Sequence, residues 1–177
     1  MLAGELYIAD DPDLAADYAR CEQALLRYNA TTDRAEHAAI LADLLDKVGE
    51  DVCVRPPFRI EYGYQTSIGA RTFVNYGAVF LDVGKIVLGA DVQIGPNVQL
   101  LTATHPIEPV PRRDKWESSE PITIEDNVWL GGGVIVLPGI TIGADTVVGA
   151  GSVVTKDLPA GVLALGNPAR VVRTLHN

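Results

Sequence analysis

Hydrophobic positions along this chain keep two different rhythms. Up to about residue 48 the apolar residues recur at roughly helical spacing. Ala15, Tyr18, Ala19, Leu25, Leu26 and Tyr28 mark one predicted helix, and Ile40, Leu41, Leu44, Leu45 and Val48 form the stripe of a second. Asp11 is placed to cap the first helix. Pro12 then takes its first position, where the missing N–H costs nothing. The segment NATTD separates the two helices, Thr32 or Asp33 can cap the second, and Gly49 is its expected stop.

After RPPF, residues 55–58, a six-residue period takes over. Ile124, Leu130, Val136, Ile142, Val148 and Val154 are all aliphatic and six apart. Four residues after each stands Val128, Val134, Ile140, Thr146, Ser152 or Leu158, small or aliphatic throughout. Gly131, Gly143 and Gly149 directly follow three of the first set. Leu88, Ile94 and Leu100 keep the same phase, whereas Ile68, Val74 and Phe80 keep the spacing but sit two residues out of phase, so an insertion separates them. This period fits neither a helix nor a flat strand. It fits a chain that turns a corner every six residues, closing a triangular coil with three hexapeptides and burying a column of aliphatic side chains. Glycine suits the corners, where a side chain would interfere. The expected fold is mainly β, a parallel β-helix preceded by a helix pair. The expected organisation is a helical segment at 1–55 and a β-helix at 56–177, interrupted by an inserted loop at about 103–121.

The interruption reads TATHPIEPVPRRDKWESSEPI and carries Trp116, four prolines and a cluster of charges. The repeat rejoins in phase at Ile124. A loop of this length in a compact domain points to function, as a lid or a reach over a neighbouring subunit. His105 stands at its start and is one of only three histidines in the chain. The other two are His37, inside the second predicted helix, and His176, next to the C-terminus. Neither suits a solenoid cleft.

Composition narrows the classes. The 177 residues are 47% hydrophobic and 21% charged, with a net charge of −9. Binding to nucleic acid or to an anionic membrane surface wants the opposite sign of charge. No apolar run is long enough to span a bilayer, and the acidic N-terminus does not read as a signal peptide, so the cytoplasm is the expected location. Cys21 and Cys53 have no metal or redox spacing and read as free thiols.

Several stretches, in order, resemble the hexapeptide-repeat acyltransferases, specifically the maltose and galactoside O-acetyltransferase group. They are AGELY with the helix pair, FRIEYGYQTSIG, FVNYGAVFLDVG, TATHPIEPV, PITIEDNVWLGGGVIVLPGITIG and GAGSVVTKDLPAGVLALGNPARVVR. The resemblance implies a left-handed β-helix, a homotrimer with active sites between subunits, acetyl-CoA as donor and a small sugar hydroxyl as acceptor. It makes His105 the catalytic base and gives the backbone N–H of Gly132 to the thioester oxygen; a plain corner glycine is the other reading of Gly132. Asn75 and Asp82 are implied to bind the acceptor. So is Glu61, which stands where relatives carry a shorter polar or acidic residue. Trp129, Ala150, Thr155, Lys156, Arg170 and Arg173 match the CoA-binding positions. Ala9 or Asp10 falls near a further acceptor-side aspartate, and RRDKWESSE departs from the glycine-containing stretch usual in relatives. The transfer needs a base, an oxyanion donor and two held substrates, without a metal.

Other readings remain beside this one. The same fold and donor could serve a lipo-chitooligosaccharide, an antibiotic hydroxyl or a sugar-nucleotide amine. A γ-carbonic anhydrase shares the solenoid, but would need three zinc-binding histidines at its clefts, and only His105 is available. A non-catalytic solenoid would not need His105, Asn75, Asp82 and Trp129 together.

Overall fold

The computed structural model describes residues 1 and 3–175; His176 lies outside the described residues. Helix α1 spans Pro12–Ala30 and helix α2 spans Arg34–Leu44. Asp11 caps α1 by accepting from the N–H of Asp13, and Asp33 caps α2 by accepting from the N–H of Ala35. The stripe on α1 is narrower than expected. Cys21, Leu25 and Tyr28 are buried, whereas Tyr18 and Leu26 face outward.

From Lys47 onward the chain winds through three parallel sheets, one for each face of a triangular solenoid. Ile124 pairs with Ile142, Leu130 with Val148 and Val136 with Val154, so eighteen residues make one coil. The hexad residues from Ile124 to Val154 are completely buried and form the expected column. Ile68, Val74, Phe80, Leu88, Ile94 and Leu100 continue it.

The solenoid starts earlier than the break at 55–56. Lys47–Val48 and Cys53–Val54 are already strands of the first coil, pairing with Ser67–Ile68 and Phe73–Val74. Val48 therefore belongs to a strand rather than to the α2 stripe. Gly49 is a solenoid corner rather than a helix stop. A Cβ there would lie 2.4 Å from the backbone nitrogen of Ala70 in the next coil.

The helix pair closes the open end of the column. Three first-coil carbonyls find partners on α1. Val54 O accepts from the Tyr28 hydroxyl at 2.6 Å, Phe58 O from Asn29 Nδ2 at 3.0 Å, and Ile60 O from the Cys21 thiol at 3.4 Å. Backbone acceptors that would otherwise be stranded at the first coil are thus satisfied, and Leu25, Leu41 and Leu44 cover the apolar end.

The departures from the hexad all fall at one corner. Ile60 is stacked on Phe80 and Phe80 on Leu100. The next inward residues, Ile68, Leu88 and Ile124, are stacked in turn. Between these rows the first two coils carry two extra residues each, and the third carries the long excursion. That excursion is ordered. Ala103–Thr104 pairs antiparallel with Trp116–Ser119, and Tyr7–Ile8 from the N-terminus adds a third strand. A short helix, α3 (Pro109–Arg113), turns the tip.

Candidate active site

His105 follows the first strand of the excursion. Its Nδ1 lies 3.3 Å from the carbonyl oxygen of Trp116 on the returning strand. The ring is exposed and borders a cleft of about 490 Å³ together with Ile8, Ala9, Asp10, Arg112, Lys115 and Glu117. Both candidate positions of the N-terminal segment, Ala9 and Asp10, are thus beside His105, but only Asp10 carries a carboxylate, and it reaches Lys115 at 4.0 Å. Glu117 is a residue the sequence reading missed. It sits next to Trp116 and pairs in register with Tyr7. Only the pairing of the N-terminal strand with the excursion reveals it, and that pairing spans over a hundred residues of sequence.

Glu61 borders an adjoining cleft of about 290 Å³ with Ala9, Leu14, Ala15, Tyr18 and Tyr62, so Ala9 lines both spaces. Burial raises the Glu61 carboxyl above its usual range, and the charges of Glu117 and Glu22 add to this. The Tyr62 hydroxyl is pushed up to about 12, first by burial and then by Glu61 and Glu117.

Asp82 does not take the position expected of an acceptor ligand. It is fully buried. Its Oδ1 accepts from the N–H groups of Glu61 (3.1 Å) and Tyr62 (2.8 Å). Its Oδ2 accepts from the N–H of Gly63 (2.9 Å) and the hydroxyl of Thr66 (3.0 Å). Burial raises this carboxyl to about 6, against the opposing pull of those four hydrogen bonds. A carboxylate with its lone pairs so occupied cannot also receive sugar hydroxyls. The motif FLDVG reads the same whether its aspartate faces out or in, so sequence could not decide.

A second group of residues gathers on a different part of the surface. Asn75, Trp129, Gly132 and Ala150 line a groove of about 380 Å³ with Phe73, Gln93 and Pro96. Trp129 alternates with buried Val128 and Leu130, so it points outward and is 55% exposed. Its outward neighbours in register are Gln93 on one side and Val147 on the other, and Val147 is followed by Leu163 and then Arg173. A continuous outer row thus runs from the indole to a guanidinium. Arg170 lies on the same terminal strand, and its Nη1 donates to Ala169 O at 2.8 Å. Thr155 and Lys156 follow the strand Val153–Val154 of another sheet, at the corner beyond it.

Gly132 offers a free donor. The N–H of Gly131 donates to Val148 O and that of Gly133 to Pro96 O, both at 2.8 Å, whereas among the described backbone bonds the N–H of Gly132 donates to nothing. Asn75 Oδ1 accepts from the N–H of Tyr76 at 2.9 Å, which leaves its NH₂ group to donate into the groove. No lining residue is shared by this groove and the cleft of His105. Among the described residues of one chain, no three His, Cys, Asp or Glu side chains converge as a metal-ligand set. No described helix is long and apolar enough to cross a membrane.

Comparison with known proteins agrees over the whole length. Residues 1–49 match the maltose acetyltransferase hexapeptide capping motif, and residues 121–156 match the bacterial transferase hexapeptide (six repeats). Nodulation protein L of Rhizobium meliloti is 47% identical over 97% of this chain and 94% of that protein. The crystal structure of a maltose O-acetyltransferase from Clostridium difficile superimposes with a TM-score of 0.98 at 43% identity, covering 99% of this chain and 95% of that one. A hexapeptide-repeat acetyltransferase from Vibrio cholerae, complexed with acetyl-coenzyme A, superimposes at 0.95 with 39% identity, covering 100% and 97%. The chain belongs to the hexapeptide-repeat acetyltransferases, in the maltose and galactoside O-acetyltransferase group.

Proposed function

We propose that this protein moves an acetyl group from acetyl-CoA directly to a hydroxyl of a small sugar, at sites completed between the subunits of a homotrimer. The observation that carries this is the separation of two half-sites on one chain. The groove of Asn75, Trp129 and Gly132 has the donors and the outward ring a thioester needs. The cleft of His105 has the base and the carboxylates a polyol needs. Neither is sufficient alone, and a neighbouring copy can bring the two together.

The chemistry follows from the groups present. A carbonyl only accepts hydrogen bonds, so Nδ1 of His105 carries the proton toward Trp116 O and Nε2 keeps its lone pair. Nε2 takes the proton of the sugar hydroxyl as that oxygen attacks the thioester carbon. The resulting oxyanion is met by the N–H of Gly132, whose position is set by the rigid solenoid corner. Collapse breaks the carbon–sulfur bond, and the imidazolium returns the proton to the departing thiolate. Glu61 and Glu117 suit the remaining sugar hydroxyls, because ionised carboxylates accept from neighbouring donors. Trp129 packs along the pantetheine arm, and Arg170, Arg173 and Lys156 suit the nucleotide phosphates.

The relatives support the donor more narrowly than the acceptor. A thiol-release assay with acetyl-CoA against glucose, maltose, galactosides and chitooligosaccharides tests the reading. CoA release that depends on one of these sugars, with an O-acetyl ester in the product, is the expected outcome. An amide product on an amino sugar would move the enzyme to N-acetylation, and no sugar-dependent release would remove the sugar reading.

A further inference from the structure

The three irregularities at one solenoid corner are bonded to one another. The first coil's extra residues form the turn Glu61–Gly63. The second coil's lie in the segment Leu81–Gly84, and the third coil's excursion leaves the same corner at Leu101 and reaches His105. Asp82 ties the second to the first through its four hydrogen bonds. Thr102 ties the third to the second. Its fully buried hydroxyl donates to Leu81 O at 2.6 Å and accepts from the N–H of Gly84 at 2.8 Å. The residues Leu81–Gly84 are therefore a strut held on one side to the acceptor-side turn and on the other to the segment that leads into His105.

The turn also has little freedom of its own. Gly63 has φ of +86°, and a Cβ there would lie 2.6 Å from the Leu44 side chain and carbonyl at the end of α2. Helix and strut thus grip the turn from opposite sides. An acid has been buried to do this, although its desolvation opposes ionisation. The N–H of Glu61 is shared with Phe80 O at 3.2 Å, whereas the N–H groups of Tyr62 and Gly63 and the Thr66 hydroxyl have no other described acceptor, and an ionised carboxylate accepts from all four at once.

We infer that Asp82 is a positioning residue that fixes Glu61 and Tyr62 relative to His105, and so sets the geometry of the acceptor pocket. This rests on the reading of Glu61 and His105 as acceptor-side groups. The titratable groups that feel the charge of Asp82 are the Cys21 thiol from α1 and the Tyr62 and Tyr64 hydroxyls of the turn, and Arg20 of α1 stands behind them, acting on Cys21 and lying 5.8 Å from the centre of the Tyr64 ring. Protonating Asp82 removes an acceptor from the turn and loosens it.

The test is steady-state kinetics on the full-length enzyme, separating the KM of the sugar from that of acetyl-CoA. Asp82→Asn replaces one accepting oxygen with a donor and should raise the sugar KM about ten- to hundredfold, with the acetyl-CoA KM within about twofold. Thr66→Val removes a single bond at similar volume and covers the case in which Asp82→Asn fails to fold. In the wild type the sugar KM should rise as pH falls through about 6. In Thr66→Val that rise should begin at higher pH, since a lost bond to the ionised form raises its pKa. A packing role alone would not move that inflection. An unmoved inflection, or equal damage to both KM values, overturns the proposal while leaving the acetyltransferase reading intact. Absence of turnover with any sugar in the wild type overturns the acceptor reading and this proposal with it.

Discussion

Nδ1 of His105 stands 3.3 Å from the carbonyl oxygen of Trp116, across the two strands of the excursion. The two residues are eleven apart in sequence, and the hairpin that joins them is clamped by the N-terminal strand Tyr7–Ile8. A carbonyl can only accept, so this contact favours the tautomer with the proton on Nδ1 and leaves the lone pair on Nε2.

Replacing His105 with alanine should therefore remove the base and leave the fold. Turnover should fall by about two to four orders of magnitude. Acetyl-CoA binding, followed by calorimetry, should stay within a few-fold of wild type. Rates close to wild type would take His105 out of its assigned role.

If His105 and Asn75 act on one substrate pair from different subunits, inactive variants should rescue each other. His105→Ala and Asn75→Ala trimers are each expected to be impaired. Unfolding and refolding an equal mixture should restore about a quarter of the clefts to an intact pair, given random closed trimers. Sedimentation should show three chains. Mixed material no more active than either parent would place the whole site on one subunit.

Two glycines beside the groove should behave differently. A Cβ on Gly95 would lie 2.6 Å from the nitrogen of Gly132, whereas a Cβ on Gly132 meets nothing closer than 3.4 Å. Gly95→Ala should thus disturb the oxyanion donor and lower kcat by roughly ten- to a thousandfold. Gly132→Ala keeps its N–H and should cost only a few-fold. Circular dichroism on both variants checks that the fold persists, and the reverse order of activities would count against Gly132 as the donor.

The column itself should be sensitive to small losses. Leu130 is fully buried in the fourth coil, between Ile94 and Val148. Leu130→Ala should destabilise by about 2–5 kcal/mol. Denaturant unfolding measures this, and a change under 1 kcal/mol would mean the coil collapses around the gap.

Much of this protein is legible in its sequence. A six-residue period is a local property, because each corner is made by its own few residues. Reading Ile124 to Val154 was enough to name the buried column and the triangular coil. The caps Asp11 and Asp33 are equally local, since a capping side chain bonds two residues along its own chain. The resemblance of whole motifs led to the family. What sequence could not decide were relationships between coils. The aspartate at 82 has its partners at 61–66, one coil earlier, so its motif does not say that it is buried. Glu117 enters the cleft only because the N-terminal strand joins the excursion. Gly49 and Val48 continue a helical stripe in one dimension, yet the stacking of the second coil makes them a corner and a strand. Periodicity reports what each residue does to its immediate chain. Hydrogen-bond partners, burial and the division of the site into two halves depend on which distant segments the stacking brings into register.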